Sequence, residues 1–451
     1  MRLGLLGGVS LAVAFGIASA ASVATADSAA DDVAAADDQA TDVEGVVVTG
    51  RRDSYRVEET PSATRTRTEL KEVPQSVSVI TEEVIDDQAM QGMADVLRYV
   101  PGATMGQGEG HRDAPTLRGN ASTADFFVDG VRDDVQYFRD LYNVARVEVL
   151  KGPNAMIFGR GGGGGVINRV TKRAEAGRSA ELRVEAGSDE HMRITGDANA
   201  PLASGIFGRV NALYQSSDSF RDYVEVERWG ANPTVTFQNE RAVLRLNYEH
   251  FEDDRIVDRG VPSFGGRPVT PSRSTFFGDP GQSYAATDVD FFSGTVEYAL
   301  SPVMTVRNHT VVADYFKFYQ NVLPGPVSAS GAQVALEAYK NRTDRQNLFN
   351  QTDVVLQANT GALRHTLLFG VELGRQETAN FRNTGFFNNT STSFLVPFAN
   401  PTVFGAPITF RQSASDANNS TEANVAALYV QDQVWITPQL QLIAGLRFDR
   451  F

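Results

Sequence analysis

Apolar and polar residues alternate along most of the chain from about Ala180 onward. Over residues 181–186 each charged side chain is followed by an apolar one, and a period of two returns over residues 244–249 and 442–449. This period places successive side chains on opposite faces of a β-strand, so one face of each strand is apolar. About eleven such segments follow one another to the end of the sequence. The pattern therefore predicts a large antiparallel β-sheet.

The connections between these strands are of two kinds. Tight turns are expected around Pro201, Asn239, Ser301, Gly361 and Pro438, and long polar loops around Arg221 and over residues 252–288, 322–346 and 377–422. Short turns at one end and long loops at the other are typical of an outer-membrane β-barrel, whereas a soluble β-sandwich has loops of similar length at both ends. Four aromatic residues suit the membrane interface: Tyr214, Trp229, Tyr248 and Trp435. The fold class expected for this region is a transmembrane antiparallel β-barrel.

Residues 68–174 follow a mixed pattern that predicts a small α+β domain. A short strand around Val77 precedes a helical period over residues 81–100, which Pro101-Gly102 would end. The residues on the apolar face of that helix are Val84, Ile85, Met93, Val96 and Leu97. Asp129-Gly130 between apolar neighbours predicts a tight β-hairpin. A domain of about one hundred residues is large enough to fold alone.

Five consecutive glycines, residues 161–165, stand between apolar strands around Val147 and Val166. With Gly159 they give a formal GxGxxG over residues 159–164, but a dinucleotide site needs a helix directly behind the glycines, and INRVTKR has the pattern of a strand. A phosphate-binding loop would end in Gly-Lys-Ser or Gly-Lys-Thr, which the sequence lacks. A flexible linker is the remaining alternative, and the apolar flanks argue against it. We interpret the run as a close backbone approach within a packed sheet.

Several motifs in residues 68–172 resemble the plug domain of TonB-dependent outer-membrane receptors. They are VPQSVSVITEEVI, LRYVPGA, TLRG, FFVDGVRDDVQYFRDLYNV and RVEVLKGPNAMIFGRGGGGGVINRVTK, in that order. Within that family they are most similar to the receptors for ferric catecholate siderophores. The resemblance implies an α+β plug domain over residues 68–174 inside a barrel of about 22 strands. With about eleven strands in residues 175–451, the chain is expected to be the amino-terminal half of such a receptor.

The amino terminus predicts an exported protein. Residues 1–26 combine one arginine, an apolar core and small residues, as a secretory signal peptide does. Residues 27–43 are acidic and rich in alanine, which predicts a disordered linker.

Residues 44–50 follow that linker as a short β-prone segment with no expected partner strand in its own chain. The segment consists of Glu44, Gly45, Val46, Val47, Val48, Thr49 and Gly50. The resemblance implies that it is a TonB box, which adds a strand to the periplasmic domain of TonB. Residues 51–67 would link it to the plug.

Composition excludes several other functions. The chain has a net charge of −14, 42% hydrophobic residues and no cysteine. This balance fits neither a nucleic-acid-binding protein nor a helical membrane protein, and it excludes disulfides and thiolate metal sites. The five histidines are scattered without an HxxxH pair, and the sequence has no GxSxG motif. No enzymatic role, metal site or resident cofactor is therefore predicted.

The resemblance also implies a ligand site. A ferric tris-catecholate is large, anionic and aromatic, so its receptor needs cations beside flat aromatic surfaces. In the family, the loops at the outward apex of the plug correspond to residues 106–112 and 132–139. The predicted siderophore-binding residues are Gln107, Arg112, Tyr137, Phe138 and Arg139 of the plug and Tyr315, Phe316 and Tyr319 of the barrel.

The function expected from the resemblance is uptake of a ferric siderophore, of catecholate type, across the bacterial outer membrane into the periplasm. Iron would travel as the ferric siderophore. The expected partners are the TonB periplasmic domain, the siderophore, and outer-membrane lipid and lipopolysaccharide, with a monomeric receptor and no nucleic acid. Two alternatives remain open. One is a receptor of this family for haem, cobalamin or a glycan, and the other is a passive structural barrel or adhesin.

Overall fold

The computed structural model describes residues 42–43, 46–47, 55–152, 154–159, 161, 163–268 and 272–451, all within one compact unit of the chain. The predicted signal peptide and nearly all of the acidic linker lie outside the described residues. So do Glu44, Gly45, Val48, Thr49 and Gly50 of the predicted TonB box.

The described part of the TonB box is Val46–Val47, which pairs antiparallel with Asp42–Val43. The expectation that this segment has no partner strand in its own chain is therefore wrong, and so is that of disorder at Asp42–Val43. Two residues separate the paired segments, the spacing of a tight hairpin, which allows the valines to pair locally.

The described residues of the amino-terminal part form twelve short strands and three short helices. The strands are β1 (Asp42–Val43), β2 (Val46–Val47), β3 (Glu59–Thr60), β4 (Thr68–Glu69), β5 (Ser76–Thr81), β6 (Ala103–Met105), β7 (Pro115–Leu117), β8 (Asn120–Ala121), β9 (Phe126–Val128), β10 (Val131–Arg132), β11 (Val144–Lys151) and β12 (Gly165–Thr171). The α-helices are α1 (Glu82–Asp87), α2 (Met93–Leu97) and α3 (Ala155–Phe158), and 3-10 turns span Leu70–Glu72 and Gly108–Gly110. Residues 55–172 are called the plug below.

The centre of the plug is a five-stranded sheet in the order β10-β9-β12-β11-β5. Strands β9 and β12 pair in parallel, and the other neighbours are antiparallel. One face packs under α1 and α2, where Met93, Val96, Phe126, Val147 and Ile167 are completely buried. Full burial of five such side chains gives the plug its own hydrophobic core.

The prediction of one continuous helix over residues 81–100 is wrong, because the structure has two short helices there, α1 and α2. Thr81 ends β5 and its hydroxyl accepts a hydrogen bond from the Val84 amide, so it caps α1 instead of starting the helix. Ala89 then takes a left-handed conformation with φ of 47°, which ends α1 before α2 begins. A residue with positive φ cannot continue a right-handed helix. The predicted hairpin is confirmed, because Asp129 and Gly130 both have positive φ between β9 and β10.

The glycine run belongs to the packed plug. Gly165 begins β12, and every residue of that strand is buried. A Cβ added to Gly164 would lie 2.2 Å from the Leu117 carbonyl oxygen, and one added to Gly165 would lie 2.5 Å from the Leu150 oxygen. These distances leave no room for a side chain. The described glycines at 164 and 165 are therefore required for a close backbone approach, as predicted.

Replacing Gly164 with alanine is expected to destabilise the plug by about 1–3 kcal/mol or more, because the clash is with backbone. Gly163→Ala is a matched control, since its Cβ would meet its nearest neighbour, Asn120 Nδ2, at 4.0 Å. Amide hydrogen exchange of β12 measures the difference. Equal exchange in the two variants would contradict the packing described here.

The remainder of the described chain is a large antiparallel sheet, called the barrel wall below. Its main strands are β13 (Ser179–Ala186), β14 (Met192–Ala203), β15 (Ile206–Asp218), β16 (Glu225–Gln238), β17 (Ala242–Ile256), β20 (Tyr284–Ser301), β21 (Met304–Val327), β22 (Gln333–Thr360), β23 (Leu363–Phe387), β26 (Asn418–Thr437) and β27 (Leu440–Arg450). The loops add β18 (Ser263–Phe264), β19 (Arg267–Pro268), β24 (Ser393–Pro397) and β25 (Ile408–Arg411), with a 3-10 turn at Pro280–Gln282. The main path has eleven strands, each paired with the next, which confirms the predicted count.

The five predicted tight turns are confirmed, and they lie at one end of the wall. At the other end, the prediction of a loop over residues 322–346 is wrong, because most of these residues belong to strands. Strand β21 continues to Val327 and β22 already begins at Gln333. The wall extends here beyond the length that crosses a membrane, which is about ten residues per strand. Where water wets both faces of a strand, the apolar alternation disappears although backbone pairing continues.

The two faces of the wall differ in polarity. On the outer face Leu348, Phe369 and Leu428 are 50%, 47% and 60% exposed. On the inner face polar side chains such as Gln351 and Gln433 are buried against the plug. This is the polarity of a lipid-facing barrel with a polar interior. No helix among the described residues is long and apolar enough to span a membrane.

Candidate ligand-binding site

The plug contacts both ends of the barrel wall. Near the tight turns, Gln431 and Gln433 donate hydrogen bonds to Thr64 and Thr66 of the plug. Near the long loops, Gln107 of the plug donates from Nε2 to the Asp258 carbonyl oxygen at 2.7 Å. The plug loop around Gly108–Gly110 therefore faces the long-loop end of the barrel, which is the outward end in an outer-membrane barrel.

Three of the predicted site residues meet at this end: Gln107, Arg112 and Tyr319. Gln107 is exposed and Arg112 is partly exposed. Tyr319 comes from the inner face of β21, and its ring contacts that of His111 at a tilt of 47°, with ring centroids 4.1 Å apart. The structure thus brings a cation and an aromatic ring together at the apex of the plug.

Tyr137, Arg139 and Tyr315 lie elsewhere, in a buried network around Asp133. Arg139 is 1% exposed, and its Nε donates to Asp133 Oδ2 at 2.9 Å. Tyr137 and Tyr315 donate from their hydroxyls to the same carboxylate. All three side chains are engaged inside the protein. Their burial argues against the predicted direct contact with a ligand.

The other two predicted residues do not join the apex group. Phe138 is half-buried, with the guanidinium of Arg255 4.3 Å from its ring centroid. Phe316 lies on the opposite face of β21 from Tyr315, alongside the exposed Val312, and stacks with Arg342. The prediction for Phe316 is therefore wrong. Adjacent residues of a strand point to opposite faces, so Tyr315 and Phe316 cannot both line the interior.

Four further residues complete the group at the apex, and none of them was predicted. They are Glu109 and His111 of the plug, Arg259 of the loop after β17, and Tyr339 of β22. Glu109 and His111 lie inside the stretch GQGEGHR, where glycines on both sides of Glu109 are the one signal in the sequence. We call Glu109, His111, Arg112, Arg259, Tyr319 and Tyr339 the apex cluster.

Glu109 is the centre of the apex cluster. Its Oε1 lies 3.4 Å from Arg259 Nη1 and its Oε2 lies 3.5 Å from Arg112 Nη2. The Tyr339 hydroxyl donates to Oε2 at 3.0 Å, and Tyr319 donates to the Glu109 carbonyl oxygen at 3.4 Å. Arg259 also reaches both phenol oxygens, at 3.3 and 3.2 Å.

The environment fixes the charges of the plug residues in this cluster. The His111 imidazole, whose Nε2 lies 3.6 Å from Glu109 Oε2, together with Arg112 and Arg259 lowers the pKa of Glu109 to about 2 against the opposing effect of burial. Burial lowers the pKa of His111 to about 3. Near neutral pH the cluster therefore holds an ionised carboxylate, a neutral imidazole and two arginine cations.

Chemically, the apex cluster suits an anionic ligand with flat rings. Arginine provides both charge and a planar surface, and phenol hydroxyls can donate to anionic oxygens. A second polar group, His250 with Asp288 and Asp290, has the spacing of metal ligands. It lies on the outer face of the wall, since the alternating residues Glu249 and Phe251 face the plug. It is therefore separate from the apex cluster.

Comparison with known proteins identifies two regions. Residues 69–166 match the family model of the TonB-dependent receptor plug domain, and residues 196–451 match that of the TonB-dependent receptor-like β-barrel. A probable TonB-dependent siderophore receptor of Acinetobacter baumannii, PiuA, is 29% identical over 85% of this chain and 55% of its own length. The catecholate siderophore receptor Fiu of Escherichia coli K12 is 27% identical over 85% of this chain and 53% of its own length.

Solved structures of siderophore receptors have a similar fold. The crystal structure of PiuA from A. baumannii superimposes with a TM-score of 0.78 at 26% identity, covering 88% of this chain and 60% of that one. The open form of the E. coli ferric-catecholate import receptor Fiu gives a TM-score of 0.75 at 25% identity, covering 87% and 62%. The chain spans about half the length of the curated relatives that it matches.

Proposed function

The chain belongs to the TonB-dependent receptors, a family of outer-membrane β-barrel transporters, and we propose that it binds an anionic ferric siderophore and imports it into the periplasm. Membership confirms the predicted fold class and outer-membrane location. It also confirms the prediction that the protein is not an enzyme.

The apex cluster is the observation that carries this proposal. At the outward end of the plug, Arg259 contacts the phenol oxygens of Tyr319 and Tyr339, and Arg112 lies against the Glu109 carboxylate that Arg259 also contacts. Arg382 adds a further cation, with its guanidinium carbon 4.0 Å from the centroid of the Tyr339 ring. A ferric catecholate combines negative charge with aromatic rings, so the arginines and the tyrosines of the cluster have counterparts on that ligand. The description of Fiu as a catecholate receptor supports the same ligand class.

Energy for import would come through the TonB box. Among the described residues, strand β2 pairs with β1 along one edge only, so a partner strand could add to the other edge. We propose that the periplasmic domain of TonB is this partner. The receptor would work as a monomer within outer-membrane lipid and lipopolysaccharide, and iron would pass as the siderophore complex without a resident cofactor.

Replacing Arg259 with alanine is expected to weaken binding of a ferric tris-catecholate by about 1.5–3 kcal/mol, or ~10- to 150-fold, the range for a lost charge-assisted contact. Titration calorimetry of the full-length receptor measures this change. Arg342→Ala is the matched control, because Arg342 is an exposed arginine that stacks with Phe316 on the outer face. Unchanged affinity in the Arg259 variant would contradict a ligand site at the apex cluster.

A further inference from the structure

The carboxylate of Glu109 occupies the position in which the cations and phenols of the apex cluster converge. Arg112, Arg259 and Tyr339 all approach its two oxygen atoms. These are the same groups that would receive the anionic oxygens of a ligand. A carboxylate from the plug therefore takes the place of an external anion.

The contacts that hold Glu109 are loose. Among the described contacts of its carboxylate, only the bond from Tyr339, at 3.0 Å, has ordinary hydrogen-bond length, while both arginine nitrogens lie at 3.4–3.5 Å and His111 Nε2 lies at 3.6 Å. Strong charge-assisted bonds are about 2.7–2.9 Å long. The buried His111 Nδ1 and Arg112 Nε also have no hydrogen-bond partner among the described residues. Glu109 thus leaves part of the hydrogen-bonding capacity of the cluster unused.

The backbone at Glu109 is also in a costly conformation. Its φ is 57° and its ψ is 17°, and Gly108 and Gly110 on either side have φ of 63° and 77°. Left-handed geometry is unfavourable for a residue with a side chain, whereas glycine adopts it freely. Contacts of the Glu109 side chain with the wall offset this strain, so their loss would favour a different loop conformation.

The same loop is pressed against the barrel wall. A Cβ on Gly110 would lie 2.4 Å from the Asp258 carbonyl oxygen, the atom that also accepts the hydrogen bond from Gln107. Residues 107–110 therefore contact residues 258–259 in three ways: the hydrogen bond from Gln107, the close approach of Gly110 to Asp258, and the Glu109–Arg259 ion pair.

We propose that Glu109 is a placeholder for the anionic oxygens of the ligand: the ligand displaces its carboxylate from Arg112, Arg259 and Tyr339 and thereby releases residues 107–110 from the wall. This inference rests on the proposed function and adds a specificity-determining residue to it. Arg112, Arg259 and the Glu109 carboxylate together carry a net charge of +1. Once the carboxylate is displaced, both arginine cations can pair with the anionic oxygens of the ligand. An uncharged chelate cannot compensate the arginines in this way, so the site selects for anions.

Glu109→Gln tests this role, because glutamine keeps the size of the side chain and removes its charge. The variant should bind a trianionic ferric tris-catecholate at least about fivefold more tightly than the wild type, since the competing charge is gone. Its affinity for an uncharged ferric trihydroxamate should not change. Asp344→Asn is the matched control, because it removes a carboxylate on the outer face of β22, where Asp344 pairs with Arg342. The control should alter neither affinity.

A second measurement does not depend on ligand binding. The amides of Gly110 and His111 donate to Gln107 and Gly108, so their hydrogen exchange reports on the loop. In Glu109→Gln without ligand they should exchange faster than in the wild type, while β12 remains protected. Weaker tris-catecholate binding in this variant, an equal rise for both chelates, or unchanged exchange would each overturn the inference. Binding of neither chelate by any variant would instead overturn the proposed function itself.

Discussion

Replacing Val47 with proline is expected to abolish energy-dependent uptake of the ferric siderophore while leaving its binding intact. Val47 lies in β2, and the only described pairing of β2 is with β1. These two strands form a sheet of their own, separate from the sheets of the plug and the wall. Proline removes a backbone N–H and fixes φ, so it disrupts the addition of a partner strand. The plug and apex cluster contain no part of β2 and should fold normally. Uptake should fall to the level of cells without the receptor.

The control for this variant is Val47→Thr, which keeps both the β-branched side chain and the amide donor. Uptake of radioactive iron as a ferric tris-catecholate and titration calorimetry should be measured on the same variants. Uptake close to wild type in Val47→Pro would show that residues 44–50 serve only as a connection. Loss of binding together with uptake would point to a damaged fold instead.

Replacing Arg139 with alanine is expected to destabilise the plug by about 3–5 kcal/mol, the usual cost of removing one partner of a buried ion pair. Arg139 lies between Asp133 and Asp113, at 2.9 and 3.5 Å. It also donates to the carbonyl oxygens of Val135 and Tyr137, and its guanidinium stacks 3.9 Å from the centroid of the Phe126 ring. Removing it leaves two buried carboxylates, of which Asp133 keeps its ion pair with Arg169 and Asp113 loses the arginine that it contacts.

Hydrogen exchange over residues 133–139 measures this destabilisation in the intact receptor. Arg98→Ala serves as the control, since its side chain is 75% exposed and substitutions at such positions usually cost less than about 0.5 kcal/mol. Binding of all ligands should fall alike in Arg139→Ala. Unaltered exchange with a selective loss of catecholate binding would favour the direct contact predicted from the sequence.

Features that depend on local chemistry could be predicted from the sequence. The eleven strands follow from alternation, because a membrane outside and a polar interior impose opposite polarity on successive residues. The hairpin at Asp129-Gly130 follows from the need for two positive φ angles. The glycines at 164 and 165 indicated a close approach of backbones, although not which carbonyl groups they meet.

Features that depend on contacts between residues far apart in the sequence could not be predicted. In the sequence, Arg139 beside Tyr137 resembles a ligand site. In the structure, Arg139 is instead paired inside the plug with Asp113, which lies 26 residues away in the sequence. Glu109 meets Tyr339 across 230 residues of sequence, so no local pattern shows that they touch. Arg259 lies in a loop, where neither period nor composition fixes the direction of a side chain. The apex cluster therefore exists only through the register of the barrel wall around the plug.

The most direct test of the central claim is uptake of radioactive iron by cells whose only receptor of this class is the full-length protein. Iron should be supplied as a trianionic ferric tris-catecholate, with and without a protonophore that removes the energy of the inner membrane. The account predicts accumulation in the periplasm that requires the receptor and stops when the protonophore is added. Accumulation no greater than in cells without the receptor would contradict it.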